Sequence, residues 1–449
     1  MISRADRRAA GKALREKVTR RSHAGWKPPE NRLDPIDLLK ESSEGRIPKL
    51  LPVRYGRMMQ SPFAFYRGAA AIMASDLART PTTKVRVQAC GDCHLMNFGG
   101  FATSERRLTF DINNFDETLP APWEWDVKRL AASFVIAGRH NGFGRADARD
   151  VAERSVRSYR EHMAEYAELT MLERWYEQLD ASRLLGAVKS KRLRKRLVRV
   201  VDKTSLRAAV EVAFPKVARV RHGRVLIRDN PPLICHQSAF KEKAFDYLVR
   251  EAFRRYRATL TDDRKVLLHS FEMQDMAVMV VGVGSVGTRC GILLMMGDED
   301  DEPLFLQVKE ASSSVLEPYA GRSHFANHGE RVVVGQALMQ AASDVFLGWT
   351  EVRGRHFYIR QLRDVRISPV PEALNPAAMK RYADWCGWAL ARAHAKSGGA
   401  ATISGYLGTT ARFDEAVTRF AFEYADQNER DHQGLLKAIR AGRIDVYRE

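Results

Sequence analysis

The chain has 449 residues, 45% hydrophobic and 29% charged, with 73 Lys and Arg against 55 Asp and Glu, a formal net charge of +18. That length predicts two or three domains or lobes, and the composition is that of an ordinary folded protein rather than a disordered one. No apolar run reaches the roughly eighteen residues of a membrane span, and the basic opening MISRADRRAAGKALREKVTRRSHAGW lacks the apolar stretch of a signal peptide, which predicts a cytoplasmic protein. Five cysteines in a reducing compartment then read as free thiols. The positive charge points to anionic partners such as nucleotides, phosphorylated metabolites or nucleic acid, although nucleotide bias in a genome produces the same arginine-rich composition.

Residues 1 to about 50 are polar, basic and punctuated by proline, which predicts an arm with a short helix over the main body. SPFAFYRGAAAIMASDLA (61–78) keeps a 3.6-residue period, with Phe63, Phe65, Ala69, Ile72, Met73 and Leu77 on one side. KVRVQAC (84–90) alternates like a strand, and FGGFATSERRLTFDI (98–112) reads as strand, turn, strand with the turn at Ser104, Glu105 and Arg106. Helical patterns dominate from 123 to about 260, beginning with WEWDVKRLAASFVIAGRH (123–140) as an amphipathic helix. The basic cluster KSKRLRKRLVRV (189–200) has no interleaved aromatic residues to stack bases, so it reads as a solvated helical face, and nucleic-acid binding is disfavoured. Between 276 and 311 the period changes to β-type runs divided by glycines and an acidic turn, and HFYIRQL (356–362) predicts a further strand. PAAMKRYADWCGWALARAHAKSGG (376–399) predicts a helix with a Gly-Gly stop.

One stretch, QACGDCHLMNFGG (88–100), supports two incompatible chemistries. Cys90, Cys93 and His94 spell the C-x-x-C-H of covalent haem attachment. A cytoplasmic location opposes that reading, and zinc would need a second ligand pair, which Cys235, Cys290 and Cys386 do not form in sequence. Asp92 and Asn97 are instead spaced as in a phosphotransferase loop: a carboxylate to orient an acceptor hydroxyl and take its proton, and an amide oxygen to help hold Mg²⁺. A metal-binding aspartate should follow across a short hairpin, and LTFDINNFDE offers Asp111, with Asp116 and Glu117 close behind. His94 reads as a loop-ordering residue, and Asp126 as a support that accepts hydrogen bonds from the loop backbone. Gly282, Gly284 and Gly287 form G-x-G-x-x-G with Ser285 inside it, followed by a strand-like run instead of the helix a dinucleotide fold requires. A glycine loop between antiparallel strands covers ATP phosphates in protein kinases, and the next strand, LFLQVKEA, carries Lys309 where a kinase places its phosphate-pairing lysine. A hairpin with permissive glycines and a surface lysine explains the same segment equally well.

The segments GDCHLMNFGG, LTFDINNFDE and PWEWDVKRLAAS resemble the aminoglycoside-phosphotransferase branch of the kinase-like superfamily. With SPFAFYRGAA, VVGVGSVGTRC, LFLQVKEA, YIRQLRDV and FAFEYADQNERD, the chain resembles the bacterial domain-of-unknown-function family 2252 over about residues 10 to 445. The resemblance implies an α+β, protein-kinase-like two-lobed fold, with a mainly antiparallel nucleotide-binding sheet and a larger helical lobe. It implies a basic arm (1–60), a catalytic-loop and metal-loop part (61–140), a helical substrate-side region (141–264), a glycine-loop and lysine part (265–370) and C-terminal helices completing the helical lobe (371–449). It makes Asp92 the catalytic base, Asn97 and Asp111 (with Asp116 as the other register) metal ligands, and Gly282, Gly284, Ser285, Gly287 and Lys309 the nucleotide holders. Glu317 is the implied partner of Lys309, with Glu330 at a more kinase-like distance. ATP and Mg²⁺ are the implied cofactors, with an unidentified small-molecule or protein acceptor.

The parts occur in a permuted order, because the catalytic loop precedes the glycine loop by about 190 residues. A circular permutation preserves the same contacts, and it requires Lys309 and Asp111 to face one cleft. Three other readings stay open: a nucleotide-binding regulatory protein without turnover, an AMP transferase using the same cleft, and a basic nucleic-acid-binding protein. The acceptor pocket is expected from 141–260, with Arg360, Gln361 and Arg363 as further contacts.

Overall fold

A computed structural model of the chain describes residues 2–447 except 106, 181–217, 222–223, 232, 237–244, 281, 299–301, 363–365 and 368–369. The basic cluster 189–200 and Arg363 therefore lie outside the described residues. The first 77 residues hold α1 (Arg4–Lys17), α2 (Pro35–Glu41), α3 (Leu51–Met58), α4 (Pro62–Gly68) and α5 (Ala70–Leu77). Then come β1 (Arg86–Ala89), β2 (Phe98–Ala102), β3 (Leu108–Ile112), β4 (Leu119–Pro122), α6 (Trp123–His140), α7 (Arg145–Glu168) and α8 (Met171–Tyr176). The middle contains β5 (Ala218–Arg221), β6 (Arg224–Ile227), β7 (Ile234–Cys235), α9 (Phe245–Thr259), α10 (Asp262–His269), β8 (Phe271–Met279), β9 (Cys290–Gly297) and β10 (Pro303–Ala311). The chain ends with α11 (Glu317–Ala320), α12 (His328–Met339), β11 (Gly348–Val352), β12 (Arg355–Gln361), β13 (Arg366–Ile367), α13 (Pro376–Lys396), α14 (Ala400–Leu407) and α15 (Arg412–Arg440).

The architecture is α+β, with antiparallel pairing throughout the described sheets. The main sheet has the order β11-β12-β10-β9-β8-β7. One of its faces buries Leu293, Leu306, Val308 and Ile359 against Phe245, Val249 and Tyr256 of α9. A larger core joins α6, α7, α13, α14 and α15 to the β2–β3 hairpin.

Local chemistry explains several boundaries. Ser61 caps α4 by accepting from the N–H of Ala64, and Pro62 occupies the first turn, where its missing N–H costs nothing. Asn375 and Pro376 start α13 in the same way. Two local expectations are corrected. The stretch 61–78 is two helices broken at Ala69, whose backbone (φ −104°, ψ 32°) leaves the α-helical path between them. Strands β5 to β7 interrupt the region expected to be helical, since Ile227 packs with Ala277, Ile292 and Leu294 on the main sheet.

The N-terminal segment is held by charge as well as by apolar packing. Arg32 donates to Asp76 at 2.8 Å and to Asp431 at 2.6 and 2.8 Å, and both acids are buried. Removing one member of such a network strands the others in a low-dielectric interior. Arg32→Met is expected to lower unfolding stability by about 3–5 kcal/mol, read from urea midpoints, whereas a loss below about 1 kcal/mol would reduce the network to a surface contact.

Candidate functional site

Residues 90–97 form a loop suspended from the surrounding helices. Asp126, in the first turn of α6, accepts from the N–H groups of Cys90 (2.7 Å) and Gly91 (3.0 Å). Ser133, two turns further on, accepts from Leu95 at 3.1 Å. From α13, Tyr382 donates its hydroxyl to the carbonyl of Leu95 at 2.6 Å. Gly91 has φ +80°, and a Cβ there would run into the carbonyl of Glu117, so glycine is required both for the turn and for this close approach. Cys90 and Cys93 are buried, and burial raises both thiols, Cys93 to about 11. Their sulfurs lie within 4.8 Å of each other and of a carboxylate oxygen of Asp126, but that carboxylate already receives the loop N–H groups and His394.

Asp92 is presented at the end of this turn. Its Oδ1 accepts from Arg129 Nε at 2.9 Å and from the same guanidinium's Nη2. Burial alone would raise its pKa, but the Arg129 guanidinium outweighs burial and holds it below the usual range. His94 stands 3.7 Å from Asp92, and burial pushes it down to about 3, so it is neutral. Its Nδ1 accepts from the N–H of Met96 at 3.2 Å. Asn97 donates its amide to the carbonyl of Asp92 at 2.7 Å.

Across the same cleft lies the pair formed by Lys309 and Asp116. Lys309 Nζ also donates to Ser285 Oγ at 2.9 Å, Ser285 donates to Asp116 Oδ2 at 3.1 Å, and Tyr358 donates to Asp116 Oδ1 at 2.8 Å. Lys309 sits on β10 directly opposite Tyr358 of β12, so one register fixes two of the carboxylate's three partners. Burial opposes ionisation of Asp116, yet Lys309 and Tyr358 hold it at about 2, and the same contact raises Lys309.

The glycine loop closes one side. Gly282 and Gly287 have positive φ, at +68° and +93°. Arg46 donates to the carbonyls of Gly284 (2.6 Å) and Val286 (2.7 Å), Arg57 to that of Gly282 (2.8 Å), and Ile47 N–H to that of Gly287 (2.7 Å). The cavity enclosed by these pieces, about 240 Å³, is lined among others by Asp92, Asn97, Asp116, Ser285 and Lys309.

Thus Asp92, His94, Asn97, Asp116, Gly282, Gly284, Ser285 and Lys309 line one cleft, while Asp126 lies beneath the loop it supports. Two expected residues are elsewhere. Asp111 does not face Lys309: it is fully buried, takes Arg392 on both oxygens at 2.8 Å, and accepts from the N–H of Ala341 at 2.7 Å. Its alternation along β3 turns it toward α13, and Asp116 occupies the cleft instead. Glu317 does not pair with Lys309 but with the N–H of Ser314 and, at 3.9 Å, with His328; Glu330 does not pair with Lys309 either. Gly287 shapes the loop without lining the cavity. Sequence reading missed Arg129, although Asp126 and Arg129, three apart on one helix, share the face toward the loop. It also missed Tyr358, which shares one face of β12 with Arg360, and Arg46, for which no local pattern exists.

Two measurements check these assignments. Arg392→Met should leave Asp111 as a stranded buried charge and cost about 3–5 kcal/mol in unfolding midpoint, with most of it recovered in the double variant Asp111→Leu, Arg392→Met. Non-recovery would show that the two side chains do not act as a pair. The second concerns acid. His23 and His94 are both held down at about 3 by burial, whereas unfolded histidine titrates near 6.5. The unfolded chain therefore binds more protons between those values, and stability should fall as pH drops from about 6.5 toward 3, by about 1.4 kcal/mol per pH unit for each histidine. Burial also lowers His162, His328 and His432, so urea midpoints at pH 7 and pH 5 should differ in the same direction, with a shallower slope in His94→Gln; equal midpoints would contradict the neutral buried state.

No curated protein and no solved structure matches the chain. No described helix is long and apolar enough to cross a membrane. The family model that does match covers residues 46–438, the glycine loop, the lysine strand and the 90–97 loop included, and the chain accordingly belongs to the family described as "Uncharacterized protein conserved in bacteria (DUF2252)".

Proposed function

We propose that the chain is an ATP- and Mg²⁺-dependent phosphotransferase with a circularly permuted, kinase-like fold, acting on a hydroxyl-bearing acceptor. The observation that carries this reading is the convergence of Lys309, Ser285 and Asp116 in the cleft that also exposes Asp92 and Asn97, with Lys309 and Asp116 193 positions apart in sequence. Glycine loop, lysine strand β10, helix α12 and strands β11 and β12 follow in the order of a protein kinase's nucleotide-binding part. The contact of Tyr382 on α13 with the 90–97 loop supports the permuted connection, since that helix would precede the loop in the unpermuted order.

The donor set fits a magnesium nucleotide. Asp116 and the amide oxygen of Asn97 are the hard oxygen ligands Mg²⁺ prefers, and Lys309 is a charged donor for phosphate oxygens. Mg²⁺ in such a site neutralises charge developing on the transferred phosphoryl group. Asp92, fixed by Arg129, orients the acceptor hydroxyl and receives its proton as the new O–P bond forms and the bond to the ADP leaving group breaks. A carboxylate held below its ordinary pKa suits this role, because a loose phosphoryl-transfer transition state asks more for alignment than for strong basicity.

Titration calorimetry with Mg²⁺-ATP tests the reading directly. Saturable, Mg²⁺-dependent binding is expected, weakened about 10- to 100-fold in Lys309→Ala, the range for loss of one charge-assisted contact. Binding by Asp92→Asn should match the wild type. Failure of the folded wild type to bind Mg²⁺-ATP would refute the proposal.

A further inference from the structure

The carboxylates of the cleft have partners within the protein. Asp92 is paired with Arg129, Asp116 with Lys309, and Glu310 with Arg289 and Arg355. Glu117 accepts from the N–H of Val315 at 2.7 Å, and burial raises its pKa. Three arginines of the same cleft are not balanced in this way. Arg46, Arg54 and Arg67 all line the cavity, and among the described residues none of them forms an ion pair.

Arg46 directs its guanidinium at the carbonyls of Ser42, Gly284 and Val286. Arg54 is only 2% exposed, bonds the carbonyls of Leu39 and Gly68 and the hydroxyls of Ser42 and Ser43, and leaves its Nε buried with no hydrogen-bond partner. Arg67 likewise has a buried Nε without a partner. Burial, and next the neighbouring Arg46, pull Arg54 down to about 9. Grouping such cations without a direct ion pair is costly: the carboxylates of the cleft act on them only from a distance, and neutral carbonyls offset only part of the cost.

The break at Ala69 adds a second feature. It starts α5 beside Arg67, and Ala70 and Ala71 at that start line the same cavity. No side chain caps this helix, so its first N–H groups remain available as donors. Planar guanidinium groups and a helix N-terminus are the two commonest protein devices for holding a phosphate.

We propose that Arg46, Arg54, Arg67 and the N-terminus of α5 form a phosphate-binding subsite distinct from the Lys309–Asp116 pair. Its occupant is a phosphate group, the terminal one of the nucleotide or one borne by the acceptor. The proximity of Arg67 to Asp92 and to the glycine loop admits both sources: burial lowers Arg67 while the Asp92 carboxylate acts against that lowering, and the carbonyl of Arg67 would lie 3.2 Å from a Cβ built on Gly284. The subsite stands independently of the phosphotransferase reading, because orthophosphate binding is its own readout.

The test is calorimetric titration of the full chain with orthophosphate. Saturable binding is expected, weakened at least about tenfold in Arg67→Gln, the loss of one charge-assisted donor. It should be partly kept in Arg67→Lys. Circular dichroism establishes that each variant is folded. No saturable binding to the wild type, or equal affinity in Arg67→Gln, would overturn the subsite. Repeating the titration with Mg²⁺ and a non-hydrolysable ATP analogue separates the sources. Mutual exclusion assigns the subsite to the nucleotide's terminal phosphate, and undiminished phosphate binding assigns it to the acceptor; either supports the subsite. Phosphate binding without any analogue binding would leave the subsite standing and remove the phosphotransferase proposal.

Discussion

A lysine taken out of water stays charged only when a counter-ion goes with it, and the cleft of this protein is organised around that requirement. Lys309 is 5% exposed, and Asp116 is the carboxylate that keeps it ionised. The two residues come from different structures, one from the central strand of the six-stranded sheet and the other from the turn after the β2–β3 hairpin. Their pairing fixes the sheet against the helical core, and Tyr358 and Ser285 complete the shell of donors around the carboxylate. Arg331 of α12 adds to the same turn by donating to the carbonyls of Asp116 and Thr118. The turn is thus held on both sides by cations, which leaves its side chains little freedom to leave the cleft.

Helix α6 does comparable work for the other wall. Its pattern of apolar and charged residues predicts one buried and one solvated face, yet Glu124, Asp126, Lys128 and Arg129 are all buried. Each has a specific partner: Thr83 for Glu124, the loop N–H groups for Asp126, Thr80 for Lys128 and Asp92 for Arg129. The charged stripe faces polar side chains and backbone of the protein, not water. A buried charge with satisfied hydrogen bonds is tolerable where an unsatisfied one is not: Asp126 and Arg129 are carried through the core in this way, whereas one oxygen of Glu124 has no partner and burial raises that acid and lowers Lys128 to about 7.

This explains what could be read from the sequence and what could not. Strands, turns and helix starts were legible because they depend on neighbours: Ser61-Pro62 caps α4, Asn375-Pro376 caps α13, and alternation marks β12. The grouping of Asp92 and Asn97 was legible because both belong to one short loop. The choice between Asp111 and Asp116 was not. Both lie in one acidic segment, and the decision rests on Arg392, 281 positions from Asp111, which claims that carboxylate for the core. Arg46 and Arg67 were invisible as cleft residues for the same reason. Nothing near them in sequence distinguishes them from the many surface arginines of a strongly basic chain.

Ion pairs between distant parts of the chain, in the cleft and outside it, also constrain when the structure can form. Lys309–Asp116 spans 193 positions, Arg392–Asp111 spans 281, and Arg32–Asp431 spans 399. Contacts of such separation are entropically expensive until the intervening chain is ordered. Before that point each of these charges is better solvated than buried, so desolvation opposes early closure as strongly as chain entropy does. The apolar core of α6, α7 and α13 and the separate core of the main sheet have no comparable desolvation barrier, since burying apolar surface requires no exact partner. The cleft between them is therefore expected to close last, when each buried ion meets its counter-ion. A substitution that removes one partner acts on this final step, leaving both cores able to collapse while the cleft stays wet and open.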